Sequence, residues 1–258
     1  MKKRIFALLA AVCLLCGGCY RQSSADPSPL TASLSPARTL LVIPFDDTGA
    51  QAFLLLHFSS GGDVAVRAYP RDTVFPESDE ETTLYTRFAS GGAVGFSAVT
   101  AAFSAACVPI DRVLSVGVSD ADRGLYPLLA ALSNNLLFTA PLPLGYTASD
   151  ASAGSPVALS SSALRRLLAL PATDYPALAD YAAFRGQIAC AVITSLAETF
   201  ADDPSALFST LVSAGRSTFV PADEATFSAL VFPAPRVRFC PVAGRFETAA
   251  TTRFYPEK

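Results

Sequence analysis

The sequence predicts an α/β protein with α+β character: a central mixed β-sheet with helices packed on it. Three observations carry this. Apolar runs of strand length, bounded by turn residues, fill the first third of the chain. Helical periodicity dominates the stretch from about residue 160 to residue 230, and short strand-like segments return at the C-terminus. The chain has 258 residues, 51% apolar and 16% charged, so one ordinary core can form and disorder is excluded for the body of the chain.

The elements follow in order. "TLLVIPF" and "AFLLLHFS" are continuous apolar runs and read as buried strands. "VAVRAYP" alternates and reads as a third, joined to the second by a turn at Gly61 and Gly62. "GGAVGFSAVTAAFSAACV" places Phe96, Val99 and Phe103 at helical spacing, and "IDRVLSVGV" is a fourth strand. "SDADRGLYPLLAALSNN" has a Ser/Asp start suited to a helix, and "LLFTAPLPL" reads as extended. "SSSALRRLLAL" opens with serine caps. "YPALADYAAFRGQIACAVITSLAETF" is the longest helical stretch, with Pro176 near its first turn. Its apolar stripe is Tyr181, Phe184, Ile188, Val192 and Leu196. "DDPSALFSTLVSAG" has Asp203 as cap, Pro204 at the first position and Gly215 as stop. "PADEATFSALV" reads as a short helix, and "RVRFCPV" and "RFETAATTRFYP" as two closing strands.

The N-terminus reads as an export signal. "MKKR" is basic, and "IFALLAAVCLLCGG" is an apolar stretch of about 14 residues, short of the roughly 20 that span a bilayer. It ends in "CGGC", a pattern similar to the processing site of bacterial lipoproteins, with Cys16 where an aliphatic residue is usual. The expected organisation is a lipoprotein signal peptide over residues 1–18, a flexible Ser/Pro-rich tether over 19–38 and an extracytoplasmic domain over 39–258, with Cys19 acylated. The expected location is the outer face of the cell membrane, held by the N-terminal lipid. Cleavage before Cys19 lowers the basic count from 19 to 16 against 22 acidic residues, a net charge of −6. Bulk charge therefore argues against nucleic acid as a partner, and any anion site must be local. Cys107, Cys190 and Cys240 match no metal spacing and read as buried free thiols, with an oxidised pair left open.

In a chain so poor in charge, "AYPRDTVF" sets Arg71, Asp72 and Thr73 side by side after a strand and a proline. By itself this is a polar turn. Asp46 and Asp47 end the first strand in the same way, and "DEE" at Asp79, Glu80 and Glu81 reads as a solvated loop. His57 is the one histidine; it lies in a Leu/Phe-rich strand and carries no catalytic pattern. Neither a Ser-His-Asp or Cys-His arrangement nor a Gly-rich phosphate loop with a lysine occurs.

The order of elements together with "YPRDT" resembles the LytR-CpsA-Psr family of bacterial cell-envelope proteins. Further points of likeness are the strand ending in Asp46, the Gly91-Gly92 pair before a helix, "IDRVLSV", and Arg185 with Gln187 in "FRGQ". The resemblance implies a phosphotransferase that attaches glycopolymers, carried on polyprenyl pyrophosphate, to peptidoglycan. It implies that Arg71 and Asp72 are catalytic, that Arg71, Arg185 and Gln187 contact the ligand, and that Asp46 and Asp72 hold Mg²⁺. The chemistry is consistent: arginine forks take phosphate oxygens, and Mg²⁺ suits one or two carboxylates plus phosphate. An apolar cavity open at one end, beneath the strand ends that carry Asp46 and Asp72, is expected for the prenyl chain. The sequence departs from the family at several places, among them the family's adjacent Arg-Gln pair, which is split here as Arg185 and Gln187. The family's second aspartate is missing, its place falling near Ala52, and so is its Arg-x-Arg pair, whose place falls near Leu168 and Leu170, with Arg165 and Arg166 a turn earlier; the family's Gly-Gly stretch is replaced by "LSNNLLF". Two readings therefore stay open, a transferase and a non-catalytic lipid- or pyrophosphate-binding or structural lipoprotein.

Overall fold

The structure is a computed structural model. It describes residues 38–46, 49–59, 62–77, 81–89, 92–117, 136–138, 157–159, 178–225, 228, 236–248 and 252–257. The chain divides into Met1–Ser35 and Pro36–Lys258, and all the described residues belong to the second unit. The leader, Cys19 and most of the tether lie outside the described residues, as do Asp47, Gly91, Arg165, Arg166, Leu168, Leu170 and the helix expected over "SDADRGLYPLLAALSNN".

The strands are β1 (Thr39–Asp46), β2 (Gly49–Ala50), β3 (Ala52–Phe58), β4 (Asp63–Pro70) and β5 (Arg112–Gly117), with helices α1 (Leu84–Phe88) and α2 (Gly92–Ala105) before β5. After β6 (Leu136–Phe138) and β7 (Val157–Leu159) come α3 (Leu178–Thr199), α4 (Pro204–Ser213), β8 (Gly215–Ser217), β9 (Arg236–Phe239), β10 (Gly244–Thr248) and β11 (Thr252–Pro256). The main sheet runs β8-β5-β1-β3-β4-β9, with β2 paired to β1. β1 is parallel to β5 and β4 to β9, while β1-β3, β3-β4 and β5-β8 are antiparallel, so the sheet is mixed as expected.

The continuous apolar runs of β1 and β3 are explained by helices on both faces. Leu40, Leu54, Leu56 and Phe58 join one core with Val64, Val66 and Leu114. Leu41, Ile43, Phe53 and Leu55 alternate into the other. The first core is closed by the α3 stripe of Tyr181, Phe184, Ile188, Val192 and Leu196 and by Leu207 and Leu211 of α4. The second is closed by Phe96, Val99 and Phe103 of α2 and by Leu84 and Phe88 of α1. There Phe103 meets Tyr69 and Phe75 edge-on, at centroid distances of 5.1 and 4.9 Å. Asp203 caps α4 as expected, its carboxylate accepting from the Ala206 amide at 3.0 Å.

Several expectations need correction. α1 and β7 were not anticipated, because five and three residues are too few to show a period. Gly215 does not stop α4, whose cap is Ala214; it opens β8 instead, where its missing side chain lets the strand lie against Ser115. "RFETAATTRFYP" is two strands, the β10-β11 hairpin. The three thiols are free, but Cys107 is exposed and only Cys190 and Cys240 are partly buried. Burial, with Cys240 nearby, pushes the Cys190 thiol up to about 12.

α3 docks on β4 and β9 through a glycine. A Cβ on Gly186 would collide with the ring of Phe239 and come within 3.2 Å of Ala68 Cβ. Gly186→Val is therefore expected to lower stability by about 1–3 kcal/mol in urea denaturation, because overpacking outweighs any change in helix propensity. Unchanged stability would mean that α3 can shift away from the sheet.

Candidate functional site

The turn that carries Arg71 and Asp72 is fastened on every side. Pro70 ends β4 opposite Ala52 of β3. Thr73, fully buried, donates from its amide at 3.1 Å and from its hydroxyl at 2.7 Å to the Pro70 carbonyl. From the C-terminal hairpin, the Phe254 amide donates to Asp72 O at 3.0 Å, and Phe254 O accepts from the Val74 amide at 2.8 Å. From α1, the Leu84 amide donates to Thr73 O at 2.8 Å and the Tyr85 amide to Arg71 O at 2.9 Å. Thr83 caps that helix, its hydroxyl accepting from the Thr86 amide. The "PRDT" segment is a fixed platform whose main chain is held by β11 and α1.

On this platform the Arg71 guanidinium lies over the ring of Tyr85, 5.1 Å from its centroid. Asp72 is half-buried, and burial holds its carboxyl above the usual carboxylate range, partly offset by the charge of Arg71. Tyr85 in turn rests on Gly49. That residue has a φ of +107°, open to glycine, and a Cβ there would stand 2.6 Å from Tyr85 Cε2.

Arg185 reaches the same end of the sheet from the other face. It is only 2% exposed, and its guanidinium lies 4.2 Å from the centroid of Tyr181, one turn back on α3. The Tyr181 hydroxyl is 3.1 Å from both the main-chain O and Oε1 of Gln51. Gln51, 4% exposed, donates its amide to Pro44 O and directly precedes Ala52, the partner of Pro70. The two arginines thus flank one strand end, Arg71 with the α1-α2 layer and Arg185 with the α3-α4 layer. Asp46 closes β1 beside Gly49, its pairing partner in β2. Gln187 is half-buried with Oε1 accepting no hydrogen bond; it sits two positions from Arg185 on α3. The sequence reading missed Tyr85, Tyr181 and Gln51. The signal available for them was spacing alone, since Tyr181 precedes Arg185 by one helical turn.

Between the sheet and α3-α4 lies a cavity of about 120 Å³ lined by Leu40, Val42, Pro44, Leu54, Ile188, Leu207 and other apolar side chains, with Arg185 the one charged residue among the described lining residues. Arg185 and Pro44 lie at its strand-end side, but neither Asp46 nor Asp72 lines it, and it is far smaller than the expected prenyl cavity. An apolar void of about 150 Å³ holds benzene, so this one admits a short apolar segment and not a full polyprenyl chain without movement of the helices.

A divalent cation fits one described residue. Asp72 offers a desolvated carboxylate facing a phosphate-binding type of side chain, which is how Mg²⁺ is held with few protein ligands. No group of three or more His, Cys, Asp or Glu side chains suited to a metal occurs among the described residues. His57 is exposed on β3, far along the strand from Ala52, and takes no part.

No protein-family model and no curated protein matches this sequence. Solved structures do. TagT bound to LI-WTA aligns over 92% of this chain and 88% of its own, with a TM-score of 0.62 and 14% identity. B. subtilis TagU aligns over 86% and 91%, with a TM-score of 0.56 and 12% identity. The chain has a LytR-CpsA-Psr-like fold. A transcriptional regulator from Enterococcus faecalis also aligns with this chain, at a TM-score of 0.62, 12% identity, and 86% and 82% coverage. At such identities the likeness concerns the fold, and activity must be argued from the site.

The direction of the Asp72 shift sets a pH dependence. Its carboxyl titrates higher in the folded than in the unfolded chain, so the folded state binds the proton more tightly. Stability is then lost as pH rises from the ordinary aspartate range through the raised value. Asp72→Asn is expected to match wild type in urea midpoint near pH 3 and to exceed it near pH 7. A mutant less stable at pH 7 would show that the ionised carboxylate is satisfied in the folded protein.

Proposed function

We propose that this protein binds a polyprenyl-pyrophosphate-linked glycopolymer at the strand end carrying Arg71, Asp72 and Arg185, as an extracytoplasmic lipoprotein of the cell envelope. The observation that carries this is the placement of Arg185: a cation 2% exposed, in the wall of an otherwise apolar cavity. Such a wall suits an amphiphile whose tail is apolar and whose head is anionic. Arg71 would take phosphate oxygens from the opposite layer, by charge-assisted hydrogen bonds. Asp72, with Asp46 from the end of β1, would hold Mg²⁺, which supplies charge neutralisation on the pyrophosphate. Gln187 would add an amide contact. The LytR-CpsA-Psr-like fold and the TagT structure bound to LI-WTA, a wall teichoic acid ligand, support a glycopolymer as the cargo; the sequence resemblance implies peptidoglycan as the acceptor.

Transfer of the polymer asks little covalent chemistry of the side chains. It asks for positioning and for stabilisation of charge on the phosphoryl group as the pyrophosphate bond breaks. Arg71 and Asp72 are the residues placed for this. Leucines at 168 and 170, where the family has its Arg-x-Arg pair, favour a second reading, a binder that presents the lipid-linked polymer without transferring it.

Titration of the full chain in mild detergent with farnesyl pyrophosphate tests the binding. Arg71→Ala is expected to weaken affinity roughly ten- to a hundredfold with or without Mg²⁺, the loss of one charged contact. Asp72→Ala is expected to do so only with Mg²⁺. Equal affinity of all three proteins would return "PRDT" to a structural turn. Polymer transfer to peptidoglycan by wild type separates the two readings.

Export has its own test. Cys19→Ala is expected to release the protein from the membrane or to leave an uncleaved precursor, and a processed mutant that stays membrane-bound would rule out the lipid anchor.

A further inference from the structure

We propose that Tyr85 and Tyr181 are positioning residues that fix the separation and orientation of Arg71 and Arg185, both braced on the single segment from Gly49 to Gln51. This rests on the reading of the two arginines as anion contacts and adds what holds them.

Each tyrosine is tied to the arginine it backs and to that segment. Tyr85 donates its amide to the carbonyl of Arg71, so its ring is registered to the same residue whose guanidinium lies over it. Behind the ring is Gly49, whose bare Cα lets the ring edge approach where any side chain would collide. Tyr181 lies one helical turn before Arg185, so both side chains share a face of α3. The hydroxyl of Tyr181 reaches Gln51, two residues beyond Gly49. Tyr85 packs with the core on the α1-α2 face and Tyr181 with the core on the α3-α4 face. The two rings therefore brace on one segment from opposite layers of the sheet.

The chemistry follows from the shape of arginine. Stacking occupies the face of the guanidinium and leaves its N–H edge as the hydrogen-bonding side, the side that matches a phosphate. An unbraced arginine loses several rotatable bonds' worth of freedom when it grips a ligand; one already stacked has lost it beforehand, and binding is tighter by that difference. Two arginines whose spacing is set by Gly49–Gln51 through two rigid rings select an anion with two phosphate groups over one with a single group.

The experiment uses the full chain in mild detergent with labelled arginine, and farnesyl pyrophosphate and farnesyl monophosphate with Mg²⁺ as probes. The Arg71 Nε–H signal, assigned by its loss in Arg71→Ala, is expected to show a ring-current shift in wild type and in Tyr85→Phe and to lose it in Tyr85→Leu. Tyr85→Phe should keep pyrophosphate affinity within about twofold. Tyr85→Leu should lose about tenfold, should narrow the preference for pyrophosphate over monophosphate, and should cost nothing further in the Arg71→Ala background, the signature of one coupled pair. Tyr181→Leu with Arg185→Ala should behave alike. If Tyr181→Leu fails to fold, the Tyr85 arm, on a half-exposed side chain, decides alone. Additive losses, a loss in Tyr85→Phe equal to that in Tyr85→Leu, or an Arg71 signal that does not move would overturn the positioning role. So would wild-type affinity in Tyr85→Leu when Arg71→Ala binds weakly. Wild-type affinity in Arg71→Ala would overturn the anion-contact reading itself, and the positioning role with it.

Discussion

Burial of β1 and β3 from both sides constrains everything else in this protein. Successive side chains of a strand point to opposite faces, so a strand covered on one face can carry charge on the other. Here Leu40 and Leu54 enter one core while Leu41 and Leu55 enter the second, and apart from Thr39 and His57 near one end these central strands carry apolar side chains on both faces. Charge is displaced to strand ends. Asp46 closes β1, and Arg71 and Asp72 follow β4 immediately.

Arg185 breaks this pattern. A guanidinium kept at 2% exposure loses most of its hydration, a cost that contacts inside the protein must offset. Its stacking on Tyr181 is worth about 2 kcal/mol when desolvated, less than the penalty for burying a charge. Buried charges of this kind concentrate at functional sites, which is why Arg185 anchors the proposed ligand contact. Asp72 leans the same way, its carboxyl raised by burial with one cation as its electrostatic partner.

Rigidity around these groups is supplied by elements far apart in the chain. The turn at Arg71 and Asp72 is hydrogen-bonded by α1 just after it and by Phe254, almost at the C-terminus. Arg185 depends on Gln51 through Tyr181 across 130 residues. A LytR-CpsA-Psr-like fold can persist at 14% identity because it needs only apolar residues in the right alternation, which many sequences satisfy. The site depends on more specific contacts: each arginine lies over its own tyrosine ring, and each ring contacts the Gly49–Gln51 segment.

The sequence by itself determined the elements whose periodicity is long enough to read. β1, β3, β4, α2 and α3 stand where the apolar runs placed them, and the α3 stripe from Tyr181 to Leu196 packs as its 3.6-residue spacing required. It also singled out Arg71 and Asp72 as charges out of keeping with their surroundings, and Arg185 through the likeness of "FRGQ" to a family motif. Only the tertiary structure decided that α1 exists, that "RFETAATTRFYP" folds back as a hairpin onto the Arg71 turn, and that Tyr85, Tyr181 and Gln51 stand behind the arginines. The reason is physical. Local periodicity records which face of an element is apolar, whereas a contact between residues 51 and 181 leaves no trace in either segment, because it comes into being only when two layers close on the same sheet.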